Sequence, residues 1–265
     1  MSSRPTMRIA MPKPRRATLA TMIVLATLGI VNALLMNWGG FSALFEWLAV
    51  LPGTLPLQVY RVFTAIVLTS PSSYGHLLFS LFFLYLFSPT VEERIGSKRW
   101  LALFLGGGAL GSVLGALGNL TGIEQLSSHL MFGPSAAIAA LVVAWSMQNP
   151  NLTVQMFFVL PMRGAWMKWI TLAFCVLGLL YSNAPPEGRL ADFGGFLVGW
   201  LFGGQPSLVR AFFLKKKLGK VESERERLRR EGPSLRVVYG GLADELDLDR
   251  GQKRPSDKPD KRTLN

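Results

Sequence analysis

Gly133-Pro134-Ser135-Ala136-Ala137 opens an apolar segment that continues to about Met147. The Gly-Pro pair allows the chain to approach closely and presets φ for a helix. A helix that starts at a serine directs free N–H groups and the positive end of its dipole at that side chain, which favours a nearby oxyanion. Taken alone, the stretch is more simply interpreted as the small-residue N-cap of an ordinary transmembrane helix. The surrounding sequence decides between the two interpretations.

The composition indicates a membrane protein with several spans. Half of the 265 residues are apolar, and they occur in long uncharged runs. The net charge of +12 does not indicate nucleic-acid binding, because 16 of the 28 lysines and arginines lie beyond Pro206 and five lie before Ala17. Basic residues that flank apolar runs are typical of membrane spans. One cysteine, Cys175, and two histidines are too few for a metal centre, and no cofactor motif is present.

The apolar runs predict an all-α, polytopic membrane protein with six transmembrane helices. The predicted spans cover about 17–37, 74–90, 100–119, 135–147, 165–182 and 190–204. Residues 38–75 contain glycines, prolines and aromatic residues that favour a structured loop at the membrane interface, anchored by Arg61. The predicted organisation is a basic cytoplasmic leader (1–16), a membrane domain (17–205) and a basic, largely disordered cytoplasmic tail (206–265) with a charge-rich helical stretch at Glu222–Glu231.

The distribution of basic residues predicts the topology. With six spans, 26 lysines and arginines face the cytoplasm and two, Arg61 and Arg189, face the other side. This bias places both termini in the cytoplasm. Residues 148–168 are then a cytoplasmic connector at the membrane surface. The membrane predicted is a bacterial inner (plasma) membrane.

Small residues at intervals of four predict where the spans pack together. They are Gly107, Gly111 and Gly115 in the third span, Ala136, Ala140 and Ala144 in the fourth, and Gly195, Gly199 and Gly203 in the sixth. Such ridges permit close contact between backbones. Asp192 lies three residues before Gly195, so it projects from the glycine face towards the bundle interior. Because the fourth and sixth spans both begin on the outer side, Ser135 and Asp192 are predicted to lie at similar depth.

Five groups of residues follow one another in a recognisable order between about 55 and 204. They are Tyr60-Arg61 with Thr64-Ala65; His76 with Leu77 to Phe79; Glu92, Gly96, Ser97 and Arg99; Gly133-x-Ser135; and Ala191-Asp192-Phe193-Gly194-Gly195-Phe196-x-x-Gly199. Together, on six spans, they resemble the motifs of the rhomboid family of intramembrane serine proteases. The resemblance implies a rhomboid-like six-helix bundle in which a structural role belongs to Arg61, Glu92, Gly96, Gly133, Gly195 and Gly199.

The resemblance also implies a catalytic dyad, a serine that begins the fourth span and a histidine on the sixth that acts as general base. Ser135 occupies the nucleophile position, but Asp192 stands where the histidine is expected. Ser80 stands where the family has an asparagine that helps to bind the oxyanion, so the implied oxyanion group is His76, Ser80 and Ser135. Removing one member of such a constellation typically leaves only about 10³ to 10⁴ of the rate over water.

Two functions from different classes fit these residues. The first, favoured by the changes at Ser80 and Asp192, is a proteolytically impaired pseudoprotease that recognises transmembrane segments of client proteins. The second is an active intramembrane serine endopeptidase with Ser135 as nucleophile and Asp192 or His76 as base. His129 is a weaker candidate base and is more simply a solvated loop residue. A transporter is disfavoured because no internal repeat is visible. The expected partners are transmembrane proteins and the lipid bilayer, with no cofactor, metal or nucleic acid.

Overall fold

A computed structural model describes residues 13–54, 57–123, 126, 130–156, 160–180 and 186–231, and most of them are helical. In chain order the α-helices are α1 (Arg16–Asn37), α2 (Ala43–Leu48), α3 (Arg61–Thr64), α4 (Tyr74–Ile95), α5 (Ser97–Gly118), α6 (Ser135–Gln148), α7 (Gly164–Leu180), α8 (Ala191–Phe202) and α9 (Leu208–Glu231). Short 3₁₀ turns cover Pro52–Thr54, Ala65–Val67 and Asn119–Thr121. The chain divides into two units, Met1–Leu214 and Lys215–Asn265.

Among the described residues, three helices are long and apolar enough to cross a membrane, namely α1, α4, and α5 with the turn that follows it. The helices α6, α7 and α8 are apolar but shorter, with 14, 17 and 12 residues. A helix of 14 residues is about 21 Å long, which is less than the ~30 Å hydrocarbon core of a typical bilayer. Each predicted span therefore corresponds to an apolar helix, and a full crossing by the last three stays a prediction.

Glycines and alanines bring α5, α6 and α8 into backbone contact at the centre of the bundle. A Cβ atom on Gly199 of α8 would lie 2.5 Å from the carbonyl oxygen of Ala140 on α6. One on Gly107 of α5 would lie 2.5 Å from the Cβ of Ala140, and Gly195 is closer still to the backbone of Ala136. Because the atoms met belong to the backbone or to a Cβ fixed directly to it, a side chain at any of these glycines would push the helices apart.

A buried carboxylate joins the end of α4 to the start of α1. Glu92 is fully buried and accepts hydrogen bonds from the backbone N–H groups of Ala17 (3.1 Å) and Thr18 (2.9 Å). The hydroxyls of Thr18 (2.7 Å) and Ser97 (2.6 Å) donate to it as well. Glu92 thus caps α1, where free N–H groups and the helix dipole favour a negative charge. Gly96 then ends α4 with a φ of +80°, which glycine adopts without strain.

The loop between α1 and α4 is held by Arg61, the predicted anchor. Its buried guanidinium donates from Nη1 to the carbonyl oxygens of Glu46 (2.7 Å) and Ala49 (2.9 Å) at the end of α2. A cation is favoured at a helix C-terminus by the dipole and by the free carbonyl groups. The same loop forms a β-bridge between Val50 and Met131, just before α6. The loop therefore positions the chain that leads into α6.

The connector after α6 contains a β-hairpin, so the all-α prediction is wrong at this place. Strands β1 (Thr153–Met156) and β2 (Leu160–Arg163) pair in antiparallel register, with Thr153 opposite Arg163. The β-branched residues Thr153 and Val154 favour an extended chain. Pro150 and Pro161 lack the N–H that a continuous helix would need.

The helices extend further than predicted at two places. α4 continues to Ile95 and α5 begins at Ser97, so one glycine separates them where a longer charged turn was expected. α9 begins at Leu208 rather than at Glu222, because this run is rich in Leu, Lys, Glu and Arg, which favour helix, and contains no proline. The rest of the predicted tail (232–265), the first part of the leader (1–12) and His129 lie outside the described residues.

Candidate functional site

Ser135 and Asp192 are hydrogen-bonded to each other. Ser135 is the first residue of α6, and Asp192 lies in the first turn of α8. The hydroxyl of Ser135 donates to Oδ1 of Asp192 over 2.6 Å. The close packing of α6 on α8 brings the two helix N-termini together. The free N–H groups and the dipole at the start of α8 favour a carboxylate at this position.

A second carboxylate, that of Glu187, also reaches Ser135. Its Oε1 accepts the backbone N–H of Ser135 at 3.3 Å and lies 3.0 Å from Nε2 of His76. Glu187 is buried, with 6% of its surface exposed. It packs directly over Gly133, where a Cβ atom would overlap the carboxylate. The φ of +131° at Gly133 is a second reason for glycine at this position.

Both ring nitrogens of His76 are engaged. Nδ1 accepts the backbone N–H of Ser70 at 3.0 Å. The ring hydrogen is therefore assigned to Nε2, which donates to Glu187. A histidine in this state has no free lone pair to accept the proton of Ser135. Of Asp192 and His76, only Asp192 contacts the hydroxyl. The weaker candidate base, His129, lies outside the described residues.

Ser80 takes no part in this network. It is buried, and its hydroxyl donates to the carbonyl oxygen of His76, one turn earlier in α4, at 2.7 Å. Such a bond to the preceding turn is a common state for serine inside a helix. Ser80 lines the wall of the cavity described next. Its hydrogen is already used, so it donates nothing towards an oxyanion.

A cavity of about 400 Å³ extends from these groups into the apolar part of the bundle. Its polar end is formed by His76, Ser135, Glu187 and Asp192. Apolar side chains from α4, α6 and α7 form the walls, among them Phe79, Phe83, Ile138, Val142, Ile170 and Phe174. Phe79 and Phe174 are 63% and 59% exposed, so the rim of the cavity reaches the outer surface of the helices.

The backbone N–H of Ser135 and the ring N–H of His76 are donors of the kind that a tetrahedral intermediate of acyl transfer requires. Backbone N–H groups and side-chain donors stabilise its negative oxygen. Here the N–H of Ser135 and Nε2 of His76 both face Glu187 instead. A carboxylate in that position occupies the donors and repels a developing negative charge. Among the described residues, no three side chains of His, Cys, Asp or Glu converge as metal ligands.

Comparison with known proteins identifies the family. The model of the Rhomboid domain matches residues 56–205, a range that contains the network of His76, Ser135, Glu187 and Asp192. The chain belongs to the rhomboid family. A relative, Derlin-1.2 from Zea mays, is 24% identical over 149 residues, which are 55% of this chain and 54% of that protein. The chain thus spans about half the length of the curated relative it matches.

Sequence reasoning missed Glu187. The residue lies in a turn with two prolines before α8, where no periodicity predicts the direction of a side chain. One signal was available: Glu187 precedes Asp192 by only five residues, so the turn must return it to the start of α8. The predicted scaffold residues lie at the contacts given above, with Arg61 in the loop, Glu92 and Gly96 between α4 and α5, Gly133 under Glu187, and Gly195 and Gly199 against α6.

Proposed function

We propose that this rhomboid-family protein binds transmembrane segments of client proteins without cleaving them. One observation carries the proposal: Oε1 of Glu187 lies within hydrogen-bond distance of both Nε2 of His76 and the N–H of Ser135. A scissile carbonyl needs these same donors. A client can occupy the apolar cavity without reaching them.

Two features of the site disfavour proteolysis at Ser135. Asp192 stands where the family has a histidine, the side chain whose ordinary pKa suits proton transfer near neutral pH. Loss of one oxyanion donor costs about 10² to 10³ in rate, and Glu187 engages two of them. Ser135 therefore lacks the family's histidine base, and the donors beside it are engaged by Glu187.

The cavity wall supports binding of an apolar helix. Phe79 on α4 and Phe174 on α7 are exposed at the rim, and both of these helices pack against α6. Helices associate within a bilayer through side-chain packing and interhelical hydrogen bonds. The apolar walls offer the first, and the carboxylates of Glu187 and Asp192 offer acceptors for the second.

Photo-crosslinking tests the binding. A photoreactive phenylalanine replaces Phe174 in proteoliposomes that also contain a synthetic single-span peptide of about 20 apolar residues. We expect crosslinks to intact peptide, unchanged when Ser135→Ala is added. The control places the same group at Ile23, which is 56% exposed on α1 and does not line the cavity. Equal crosslinking from position 23 would contradict a specific site.

The second candidate function is an intramembrane serine endopeptidase, favoured by the 2.6 Å bond between Ser135 and Asp192. Asp192 is then the base, and Glu187 has to leave the donors when substrate binds. A fluorophosphonate probe tests it directly. Labelling of the wild type that is lost in Ser135→Ala, together with peptide fragments that depend on Ser135, would establish the protease and overturn the binding-only proposal.

Six spans with both termini in the cytoplasm complete the proposal, and a bacterial plasma membrane is the setting that the sequence predicts. The support is the division of basic residues, 26 against two. A topology reporter fused after Gly204 is expected to be active only in the cytoplasm. Activity on the outer side would contradict this orientation.

A further inference from the structure

A second, larger cavity lies at the opposite end of the bundle from Ser135. Its volume is about 910 Å³, and it is formed by the start of α5, the end of α8 and the beginning of α9. Ser135 begins α6 and Gln148 ends it, so the two ends are about 20 Å apart along the helix. The cavity shares no lining residue with the one at Ser135.

Three arginines surround the mouth of this cavity: Arg94, Arg99 and Arg210. Arg94 is fixed in place, because its guanidinium donates to the carbonyl oxygen of Gln148 at the end of α6 and its own carbonyl accepts from Gln205 at 2.8 Å. Within the described part of the chain, Arg99 and Arg210 make no ion pair with an acidic side chain. The mouth therefore carries positive charge that no acidic side chain among the described residues neutralises.

The inner walls of the cavity are apolar. They consist of Ala102, Leu103 and Gly106 on α5 and of Val198 and Phe202 on α8. From Arg99 to Gly106 the α5 wall rises by about 10 Å. A Cβ atom on Gly106 would meet its nearest neighbour, Cγ1 of Val198, only at 3.8 Å. This glycine, unlike Gly107 beside it, is not needed for helix packing and leaves the groove open.

We propose that this cavity binds one anionic phospholipid. The headgroup phosphate lies between Arg99 and Arg210, and an acyl chain follows the groove between α5 and α8. Guanidinium groups suit phosphate oxygens because their N–H donors form a planar fork. Basic pockets between helices at the end of membrane spans are a known way of holding acidic headgroups. An anionic phospholipid matches both parts of the cavity: its phosphate suits the arginines at the mouth, and its acyl chain suits the apolar groove.

Native mass spectrometry of the full-length protein in detergent tests the proposal, with dioleoyl phosphatidylglycerol and dioleoyl phosphatidylcholine as probes. We expect phosphatidylglycerol to bind as a single tight copy and phosphatidylcholine to bind at least about tenfold more weakly. The double variant Arg99→Ala/Arg210→Ala should lose at least about tenfold in affinity for phosphatidylglycerol. Lys98→Ala/Lys215→Ala is the matched control, since it removes two basic residues that do not line the cavity.

The apolar half of the site has its own variant. Gly106→Leu should fill the groove and weaken phosphatidylglycerol binding several-fold without lowering the lipid-free melting temperature, because a Cβ at this position meets Val198 only at 3.8 Å and leucine favours helix more than glycine does. Equal affinity for the two lipids, or an equal loss in the lysine control, would overturn the proposal. So would full competition by inorganic phosphate with no effect of Gly106→Leu, because the site would then hold a free anion.

Discussion

Glu92 and Glu187 are both buried carboxylates that accept N–H groups from the start of a helix elsewhere in the chain. Glu92 receives four hydrogen bonds of 2.6 to 3.1 Å and is closed off from solvent. Glu187 receives one backbone N–H at 3.3 Å and the ring of His76, and it lines a cavity together with Asp192. The first carboxylate is saturated by donors and holds two helices together. The second is only partly satisfied, and it faces a space that another molecule can enter.

The largest expected effect comes from separating α6 from α8. This change would break the contacts among Ser135, Glu187 and Asp192 and leave those of Glu92 intact. Gly199→Leu places a side chain against the backbone of Ala140. We expect a loss of more than about 3 kcal/mol of folding free energy, seen as a large fall in melting temperature in detergent. Ser135→Ala should cost far less, and so should Gly178→Leu, because nothing lies near a Cβ at Gly178. Equal stability of Gly199→Leu and Ser135→Ala would contradict the contact.

Removing each carboxylate in turn sharpens the comparison. Glu92→Ala leaves the N–H groups of Ala17 and Thr18 and two hydroxyls without their acceptor, which should cost about 2 to 5 kcal/mol. Glu187→Ala should cost less than about 1 kcal/mol. The N–H groups that donate to Glu187 face a cavity, and removing its carboxylate relieves repulsion with the nearby carboxylate of Asp192. Unfolding followed by circular dichroism measures both. A loss on Glu187→Ala as large as that on Glu92→Ala would show that Glu187 is a structural cap as well.

Restoring the serine–histidine dyad of the family tests whether Glu187 obstructs the oxyanion site. Asp192→His supplies an imidazole base, and Ser80→Asn supplies the missing oxyanion donor. We expect this double variant to gain at least about 10² in cleavage of a transmembrane substrate only when Glu187→Ala is added, since that change frees the donors of Ser135 and His76. Ser135→Ala in the triple variant is the control and should abolish cleavage.

Two results would contradict this expectation in different ways. If the double variant cuts as fast as the triple variant, Glu187 does not obstruct the oxyanion site. If the wild type cuts as fast as either variant, and Ser135→Ala does not, then Asp192 is a working base and the protein is a protease.

The smallest effect is expected for Ser80. Its hydroxyl donates to a carbonyl of its own helix, so Ser80→Ala removes no donor that faces Glu187 or Ser135. Folding free energy should change by less than about 1 kcal/mol, and crosslinking of a client from position 174 should not change. A clear loss of client crosslinking would place the hydroxyl in the binding site.

The contact of α6 with α8 could be predicted because it rests on periodicity. Small residues every fourth position define one face of a helix, and a first-turn residue such as Asp192 lies on a known side of that face. The contact of Ser135 with Asp192 follows from this geometry. The role of Glu92 was harder to predict, because its partners Ala17 and Thr18 lie more than 70 residues away in sequence and donate through backbone that any residue would offer.

The position of the Glu187 side chain and the hairpin were harder still to predict, because neither follows from a repeat in the sequence. Glu187 lies in a turn, and the direction of a side chain in a turn depends on backbone angles that no repeat encodes. The hairpin at Thr153–Arg163 depends on pairing between two short strands, which local preference alone does not decide. In both cases tertiary contacts, and not local pattern, fix the structure.

The N-termini of α6 and α8 meet at Ser135 and Asp192. A scaffold that directs two positive helix ends at one point will hold a permanent carboxylate there as readily as the short-lived oxyanion of a reaction. The carboxylates of Glu187 and Asp192 therefore lie in a field that the fold already provides. A change of side chain at position 192 can therefore alter the chemistry of this point while the backbone contacts of α6 and α8 that create the field stay as they are.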